Sequence, residues 1–176
     1  MKTNIALIGF MGTGKTAVGK ALADKLGKEF VELDSQIEQK AGKSITQIFE
    51  QDGEIAFREL EIESVKQVSE KKNTVIACGG GVVLNKINID RLRESARIVY
   101  LVASPQIILK RILKGGEKRP LVNVSDKAAT IRELLEFRKP FYKRAADITI
   151  NTSNLSVNSV VKQIISRLRE DEGFSL

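Results

Sequence analysis

The sequence has no histidine and no tryptophan, and its 176 residues include one cysteine and three prolines. Without histidine there is no imidazole to act as a general base or to bind a metal ion. The single cysteine, Cys78, excludes an internal disulfide framework and a multi-thiolate zinc site. Any catalytic base in this chain is therefore a carboxylate, a lysine or a tyrosine.

Long hydrophobic runs are also missing. The longest apolar stretches, residues 5–11 and 75–84, are interrupted by glycine and fall short of the roughly 18 apolar residues that a membrane span needs. The apolar run behind Met1 and Lys2 leads into a glycine-rich segment, which is not typical of a signal-peptide cleavage region. We therefore expect a cytoplasmic protein that does not cross a membrane.

Positive charge is in excess, since 29 lysines and arginines face 22 aspartates and glutamates for a net charge of +7. With 42% hydrophobic residues, the chain is typical of a single globular domain over residues 1–176. The charge favours an anionic partner, and nucleic acids, anionic membranes and phosphorylated small molecules all fit this description. Charge alone does not distinguish between them.

Short β-rich runs alternate with longer helical patterns, which predicts an α/β domain with a parallel sheet covered on both faces. We predict strands at residues 4–8, 30–33, 74–77, 97–102 and 148–150. Two helices are predicted between the second and third strands, one closed by Gly42 and one opened by Ser44 with Gln47 in capping-box register. A crossover between two parallel strands needs only one helix, so we predict that residues 35–71 form an insertion that holds the acceptor substrate.

Residues 9–16, with the sequence GFMGTGKT, match the pattern G-x-x-x-x-G-K-[ST] between a predicted strand and a predicted helix. In this pattern glycines let backbone N–H groups surround a phosphate chain, and the helix N-terminus adds a favourable dipole. Lys15 would reach the terminal phosphates, and the hydroxyl of Thr16 is a candidate ligand of Mg²⁺. We predict a nucleotide-binding P-loop, and the alternative is a glycine-rich turn that binds nothing.

A P-loop protein also needs an acid near the metal, usually at the end of a buried strand. The predicted second strand ends in Glu32 and Asp34, which would lie on the same side of that strand. Either is a candidate to orient metal-bound water or to accept the proton of an acceptor hydroxyl. The alternative is that Asp34, with Ser35, only caps the next helix.

Gly79, Gly80 and Gly81 follow the predicted third strand, where the backbone could approach a small ligand closely or simply form a loop. These residues alone favour neither interpretation. Arg58 and Glu61 have the spacing of an ordinary ion pair on a helix surface.

Arg138 continues the apolar helical spacing of Ile131, Leu134 and Leu135, which predicts a buried arginine that requires an anionic partner. Pro140 predicts a kink or an end of this helix.

The segment 115–125 contains two glycines and Pro120, which predicts a mobile loop between two helices. A lid that closes over phosphates would account for the cations that lead into it and lie within it: Lys110, Arg111, Lys114, Lys118 and Arg119. For Lys110 and Lys114 a solvated helix face is the favoured alternative.

These elements occur together in one order along the chain: GFMGTGKT at 9–16, LD at 33–34, FRELE at 57–61, GGG at 79–81, RPL at 119–121 and RKPFY at 138–142. In order and spacing the sequence resembles the bacterial and plant shikimate kinases over nearly its whole length. The P-loop is shared by many families, but its combination with the other elements is far more specific. Two departures are Glu32, where many members have aspartate, and Asn151, where aspartate is common.

The resemblance implies a three-layer α/β fold like that of the nucleoside monophosphate kinases. It implies a five-stranded parallel sheet in the order 2-3-1-4-5, a substrate-binding insertion, and an ATP lid at about 115–125. The implied reaction converts ATP and shikimate to ADP and 3-phosphoshikimate with Mg²⁺, on the route to aromatic amino acids. We expect a monomer that binds shikimate and ATP but neither nucleic acid nor membrane.

Residue roles also follow from the resemblance. ATP would be held by Gly12, Thr13, Gly14, Lys15, Thr16 and Ala17, with Arg111 at the adenine and Arg119 reaching the phosphates, and Thr16 would bind Mg²⁺. Asp34 would contact the shikimate hydroxyls and act as the base, while Lys15 and Arg119 stabilise the transferring group. Arg58 and Arg138 would bind the carboxylate, and Gly79, Gly80 and Gly81 would line the substrate, with Gly80 contacting it through its backbone.

Two other functions remain as alternatives. A kinase for gluconate or a nucleoside monophosphate would share the scaffold, although aromatic residues that could form a base pocket are scarce. A nucleotide-gated module that binds nucleic acid would use the positive charge, but acids interrupt the basic residues and no aromatic stacking pattern accompanies them.

Overall fold

The computed structural model describes residues 1–115 and 126–176. The strands are β1 (Asn4–Ile8), β2 (Glu29–Glu32), β3 (Thr74–Ala77), β4 (Ala96–Val102) and β5 (Ile148–Asn151). The helices are α1 (Lys15–Leu26), α2 (Leu33–Ala41), α3 (Ile45–Gln51), α4 (Gly53–Ser69), α5 (Lys86–Ser95), α6 (Pro105–Gly115), α7 (Lys127–Ala145) and α8 (Val157–Arg169), with a 3₁₀ turn at Val82–Leu84. In this part of the chain no helix combines the length and hydropathy that a membrane span requires.

All strand pairs are parallel, and the sheet has the order β2-β3-β1-β4-β5, which confirms the predicted order. The central strand β1 is fully buried, because Ile5 pairs with Val75 on one side and with Arg97 on the other while helices cover both faces. This burial explains the continuous apolar run in the sequence.

The two faces of the sheet have separate cores. Ile5 and Leu7 of β1 face α1 and α8, whereas Ala6 and Ile8 face a larger core that includes residues of α4, α5 and α7. The connection after β1 therefore leaves towards one face and the connection after β3, through α5, towards the other. Ligands bind at such a reversal in open α/β sheets, and here it lies between the carboxyl ends of β1 and β3.

Helices α2, α3 and α4 enclose a third, small core formed by Ile37, Ile48 and Phe57. The ring of Phe57 lies 4.8 Å from that of Phe49. The predicted capping box is confirmed, since the Ser44 side chain accepts from the Gln47 amide and the Gln47 side chain accepts from the Ser44 amide. This small core holds the start of α2 and the middle of α4 next to the end of β3.

The predicted place of Asp34 on the second strand is wrong. Strand β2 ends at Glu32, and α2 begins at Leu33, so Asp34 lies in the first turn of a helix. Glu32 precedes this helix in an extended conformation and its side chain makes no capping hydrogen bond. Because no turn residue separates strand from helix, the sequence carries no local signal for the change.

Pro140 does not end its helix, since α7 continues to Ala145. The buried residues of α7 include Ile131, Arg138, Tyr142 and Ala145, which lie on one face of the helix on both sides of the proline. Proline cannot donate a backbone hydrogen bond, but packing of this face against the sheet keeps the chain helical beyond Pro140.

Candidate active site

The P-loop connects β1 to α1 and needs glycine where the backbone turns. Gly9 has a φ of +146°, and a Cβ there would lie 2.5 Å from the Leu101 carbonyl oxygen. Gly14 precedes α1 with a φ of +97° and no side-chain cap. The first amides of α1 therefore point into the loop without a capping side chain, as an anion-binding helix N-terminus requires.

Lys15 folds back over this loop. Its ammonium group donates to the carbonyl oxygens of Gly9 at 2.8 Å and Phe10 at 2.9 Å. A positive charge is thereby held against the P-loop backbone.

Thr16 and Glu32 place two oxygen groups side by side. The Thr16 hydroxyl donates to Glu32 Oε1, and the Ser35 hydroxyl donates to Glu32 Oε2 at 3.1 Å. Within residues 1–115 and 126–176, no three carboxylate, cysteine or histidine groups form a metal-binding cluster. The oxygen pair suits Mg²⁺, which takes one or two protein ligands together with substrate phosphates and water.

The glycine triplet after β3 lies at the centre of four charged side chains. A Cβ on Gly79 would lie 2.9 Å from Asp34 Oδ1 and 3.4 Å from Glu61 Oε2. A Cβ on Gly81 would lie 2.5 Å from Arg58 Nη1. A Cβ at Gly79 or Gly81 would be too close to these side-chain atoms, so the close approach of the charged groups requires glycine at both positions.

Arg58 is held by two carboxylates on α4. It donates to Glu61 at 3.0 Å and to Glu54 at 3.3 Å. The predicted Arg58–Glu61 pair forms, but it is not a surface pair, because Glu61 is only 1% exposed. The second oxygen of Glu61, Oε2, is buried and has no hydrogen-bond partner.

Burial raises the pKa of the Glu61 carboxyl above its ordinary value, and Arg58 opposes this effect. Asp34 raises the pKa of Glu61 further and Arg138 lowers it, which places all three charged groups in one electrostatic environment. Burial also raises the pKa of the neighbouring Cys78 thiol, so this cysteine stays protonated and is not a nucleophile.

We expect the free energy of unfolding of the wild type to fall, relative to that of Glu61→Gln, as the pH rises. A carboxyl whose pKa is higher in the folded state binds more protons when folded, so its contribution to the free energy of unfolding falls as pH rises. The fall begins near its ordinary pKa of 4.5 and continues through the raised value. Urea denaturation of both proteins across this range should show the wild type losing stability relative to the variant, and a constant difference would contradict the prediction.

Arg138 is buried, as its spacing predicts, and it is only 3% exposed. Its guanidinium lies 5.8 Å from the centre of the Phe10 ring and next to Gly80, whose Cβ position is 3.4 Å from Arg138 Nη1. The Nε atom is buried without a hydrogen-bond partner. No carboxylate of the described residues forms an ion pair with Arg138. A buried cation in this state requires an anion.

Arg111, on α6, joins the P-loop to the segment after β5. It donates to the Gly12 carbonyl at 3.1 Å and to the Thr152 carbonyl at 2.9 Å. Thr152 is 2% exposed, and its hydroxyl lies 2.9 Å from the Thr13 carbonyl oxygen. These contacts hold the P-loop backbone at Gly12 and Thr13 in place.

The structure thus brings Asp34, Arg58 and Arg138 together around the glycine triplet, beside the loop that carries Lys15. Arg119 lies outside the described residues, as does most of the predicted lid. The sequence predicts only a surface ion pair with Arg58 for Glu61, and no individual role for Tyr142 or Thr152. Tyr142 follows Arg138 by one helical turn, which is a usable signal, whereas nothing local indicates the contacts of Thr152.

A P-loop at the reversal point of an all-parallel five-stranded sheet defines the class of the protein, a P-loop kinase. A sequence model described as shikimate kinase matches residues 11–169. The chain belongs to the shikimate kinase family, whose members use ATP as the phosphoryl donor.

Individual relatives agree with this assignment. The shikimate kinase of Caldanaerobacter subterraneus subsp. tengcongensis is 49% identical over 162 residues, which are 92% of this chain and 94% of the relative. The structure of Acinetobacter baumannii shikimate kinase in complex with shikimate is 34% identical, with a TM-score of 0.93, over 98% of this chain and 96% of the other. The Aquifex aeolicus shikimate kinase structure is 36% identical, with a TM-score of 0.82, over 94% and 96% of the two chains.

Proposed function

We propose that the protein transfers the γ-phosphoryl group of ATP to the 3-hydroxyl group of shikimate, forming 3-phosphoshikimate and ADP. The observation that carries the proposal is Arg138, a buried arginine with an unpartnered Nε atom at the edge of the P-loop. Shikimate has one carboxylate and several hydroxyls. The arginines of this site can bind the shikimate carboxylate, and its aspartate and glutamate side chains can accept hydrogen bonds from the shikimate hydroxyls.

The acceptor would lie over the glycine triplet. Arg138 binds its carboxylate together with Arg58, which Glu61 and Glu54 hold in place. Gly79, Gly80 and Gly81 would line the acceptor, and Gly80 would contact it through its backbone. Asp34, at the other side of the triplet, accepts a hydrogen bond from the reacting hydroxyl.

The donor would lie along the P-loop, with residues 12–17 around its phosphates. Arg111 donates to the carbonyl oxygens of Gly12 and Thr152 and would also contact the adenine of ATP. Thr16, with Glu32 beside it, would hold Mg²⁺, which neutralises phosphate charge when it is bound. The proposal includes a lid at about 115–125 that brings Arg119 to the phosphates.

Transfer then needs positioning and charge stabilisation more than covalent chemistry by the protein. The acceptor oxygen attacks the γ-phosphorus, its proton passes to Asp34, and the bond to the ADP oxygen breaks. Lys15 stabilises the charge of the transferring group. Residues 35–71 would form the substrate-binding part of one kinase domain that acts as a cytoplasmic monomer, without nucleic acid or membrane.

The test is ADP release from MgATP with shikimate, gluconate and nucleoside monophosphates as separate acceptors. We expect strong turnover with shikimate alone, and omission of Mg²⁺ should abolish it. Turnover with gluconate or a nucleotide but not with shikimate would contradict the proposal and leave the P-loop assignment intact. Tight, salt-dependent binding of nucleic acid without turnover would favour the binding module instead.

A further inference from the structure

Tyr142 lies on α7 one helical turn after Arg138, and it is fully buried. Its hydroxyl donates a hydrogen bond to the carbonyl oxygen of Gly80, which is 62 positions away in sequence. Its ring stacks on Tyr100 of β4 with 5.0 Å between centroids and 21° between planes. The ring is therefore fixed by packing, and the hydroxyl is fixed by the glycine triplet.

Gly80 is the member of the triplet whose Cβ position has P-loop atoms among its nearest neighbours. From its Cβ position, Arg138 Nη1 lies at 3.4 Å, the Met11 amide nitrogen at 3.6 Å and the Gly9 carbonyl oxygen at 3.7 Å. Gly80 thus lies next to both the arginine of α7 and the P-loop. A shift of this peptide would move the floor of the acceptor site relative to the donor loop.

Burial raises the pKa of the Tyr142 phenol, and nearby Arg138 opposes this only in part. The phenol consequently stays neutral and keeps its O–H as a donor. Without this donor, the Gly80 carbonyl would lose a partly buried hydrogen bond, and Arg138 would lose a neighbouring polar group.

We propose that Tyr142 is a positioning residue for the acceptor, because its hydroxyl holds the Gly80 peptide and Arg138 in the positions that bind the acceptor carboxylate. This inference rests on the proposed function. Tyr142 does not touch the reacting atoms, and the donor loop has its own supports in Arg111 and Thr152. Its loss should therefore affect the acceptor and not the nucleotide.

The test compares Tyr142→Phe with Tyr100→Phe, which removes a hydroxyl from the other ring of the same stacked pair. For Tyr142→Phe we expect the KM for shikimate to rise about ten-fold, the scale of one buried hydrogen bond, with the KM for ATP within about two-fold of wild type. Tyr100→Phe should leave both KM values near those of the wild type. Melting temperatures of all proteins ensure that assays are run on folded enzyme.

Equal changes in both KM values, or no change in either, would overturn the proposal and leave Tyr142 a packing residue. Replacement of Tyr142 by 4-aminophenylalanine, which retains an N–H donor, should bring the KM for shikimate back towards the wild-type value. If Tyr142→Phe does not fold, the 4-aminophenylalanine enzyme is measured instead. The proposal would then be overturned if the KM for shikimate of this enzyme changes no more than its KM for ATP. Absence of shikimate turnover in the wild type would overturn both the proposed function and this inference, whereas a normal wild type with an unselective variant overturns the inference alone.

Discussion

Lys15→Ala is expected to lower kcat/KM by about a thousand-fold or more, which corresponds to about 4 kcal/mol of transition-state stabilisation. The ammonium group is held at the loop by the carbonyl oxygens of Gly9 and Phe10, so its charge is in place before the substrates bind. Such preorganised charge is most effective where negative charge develops during transfer. Steady-state assays with MgATP and shikimate measure the loss.

Lys20→Ala is the matched control, because Lys20 lies on the same helix with its side chain exposed to solvent. It should retain nearly full activity. Both variants should show the far-ultraviolet circular dichroism of the wild type. A Lys15→Ala enzyme with more than a tenth of wild-type activity would refute the role given to this lysine.

Asp34→Asn should lower kcat by about a hundred-fold or more, the usual scale for removal of a general base, and should change the KM for shikimate far less. The amide keeps the size of the side chain next to Gly79 but cannot accept a proton as the carboxylate does. The change therefore removes an interaction made mainly in the transition state.

Asp24→Asn, on the exposed side of α1, makes the same chemical change away from the site and should leave kcat unchanged. Binding of shikimate to Asp34→Asn, measured by calorimetry, separates a loss of chemistry from a loss of affinity. If kcat is maintained, Asp34 is not the base, and if shikimate no longer binds, the main role of Asp34 is acceptor binding.

Features of the fold that depend on local patterns could be predicted from the sequence. The strand limits of β1 and β3, the capping box at Ser44 and the burial of Arg138 all follow from spacing and residue type. The resemblance added the order of the sheet, which no local pattern contains.

Features that depend on distant contacts could not be predicted. The spacing of Arg58 and Glu61 indicates a pair, but the burial of Glu61 arises only when α4 packs beneath the glycine triplet. The bond from Tyr142 to Gly80 and the contacts of Thr152 join segments far apart in sequence. The sequence pattern predicts Glu32 and Asp34 on one side of the end of a strand, whereas packing in the α2–α3–α4 core favours a helix from Leu33 onwards.

Recognition of the acceptor carboxylate by Arg138 is tested by changing both the arginine and the carboxylate. The kcat/KM values for shikimate and for its neutral carboxamide are compared in the wild type and in Arg138→Met, a substitution that keeps an apolar stem in the buried site. We expect the wild type to prefer the carboxylate by about a hundred-fold and the variant to lose at least about ten-fold of this preference, as expected for a buried charge pair. A folded Arg138→Met enzyme that discriminates as strongly as the wild type would contradict this role of Arg138.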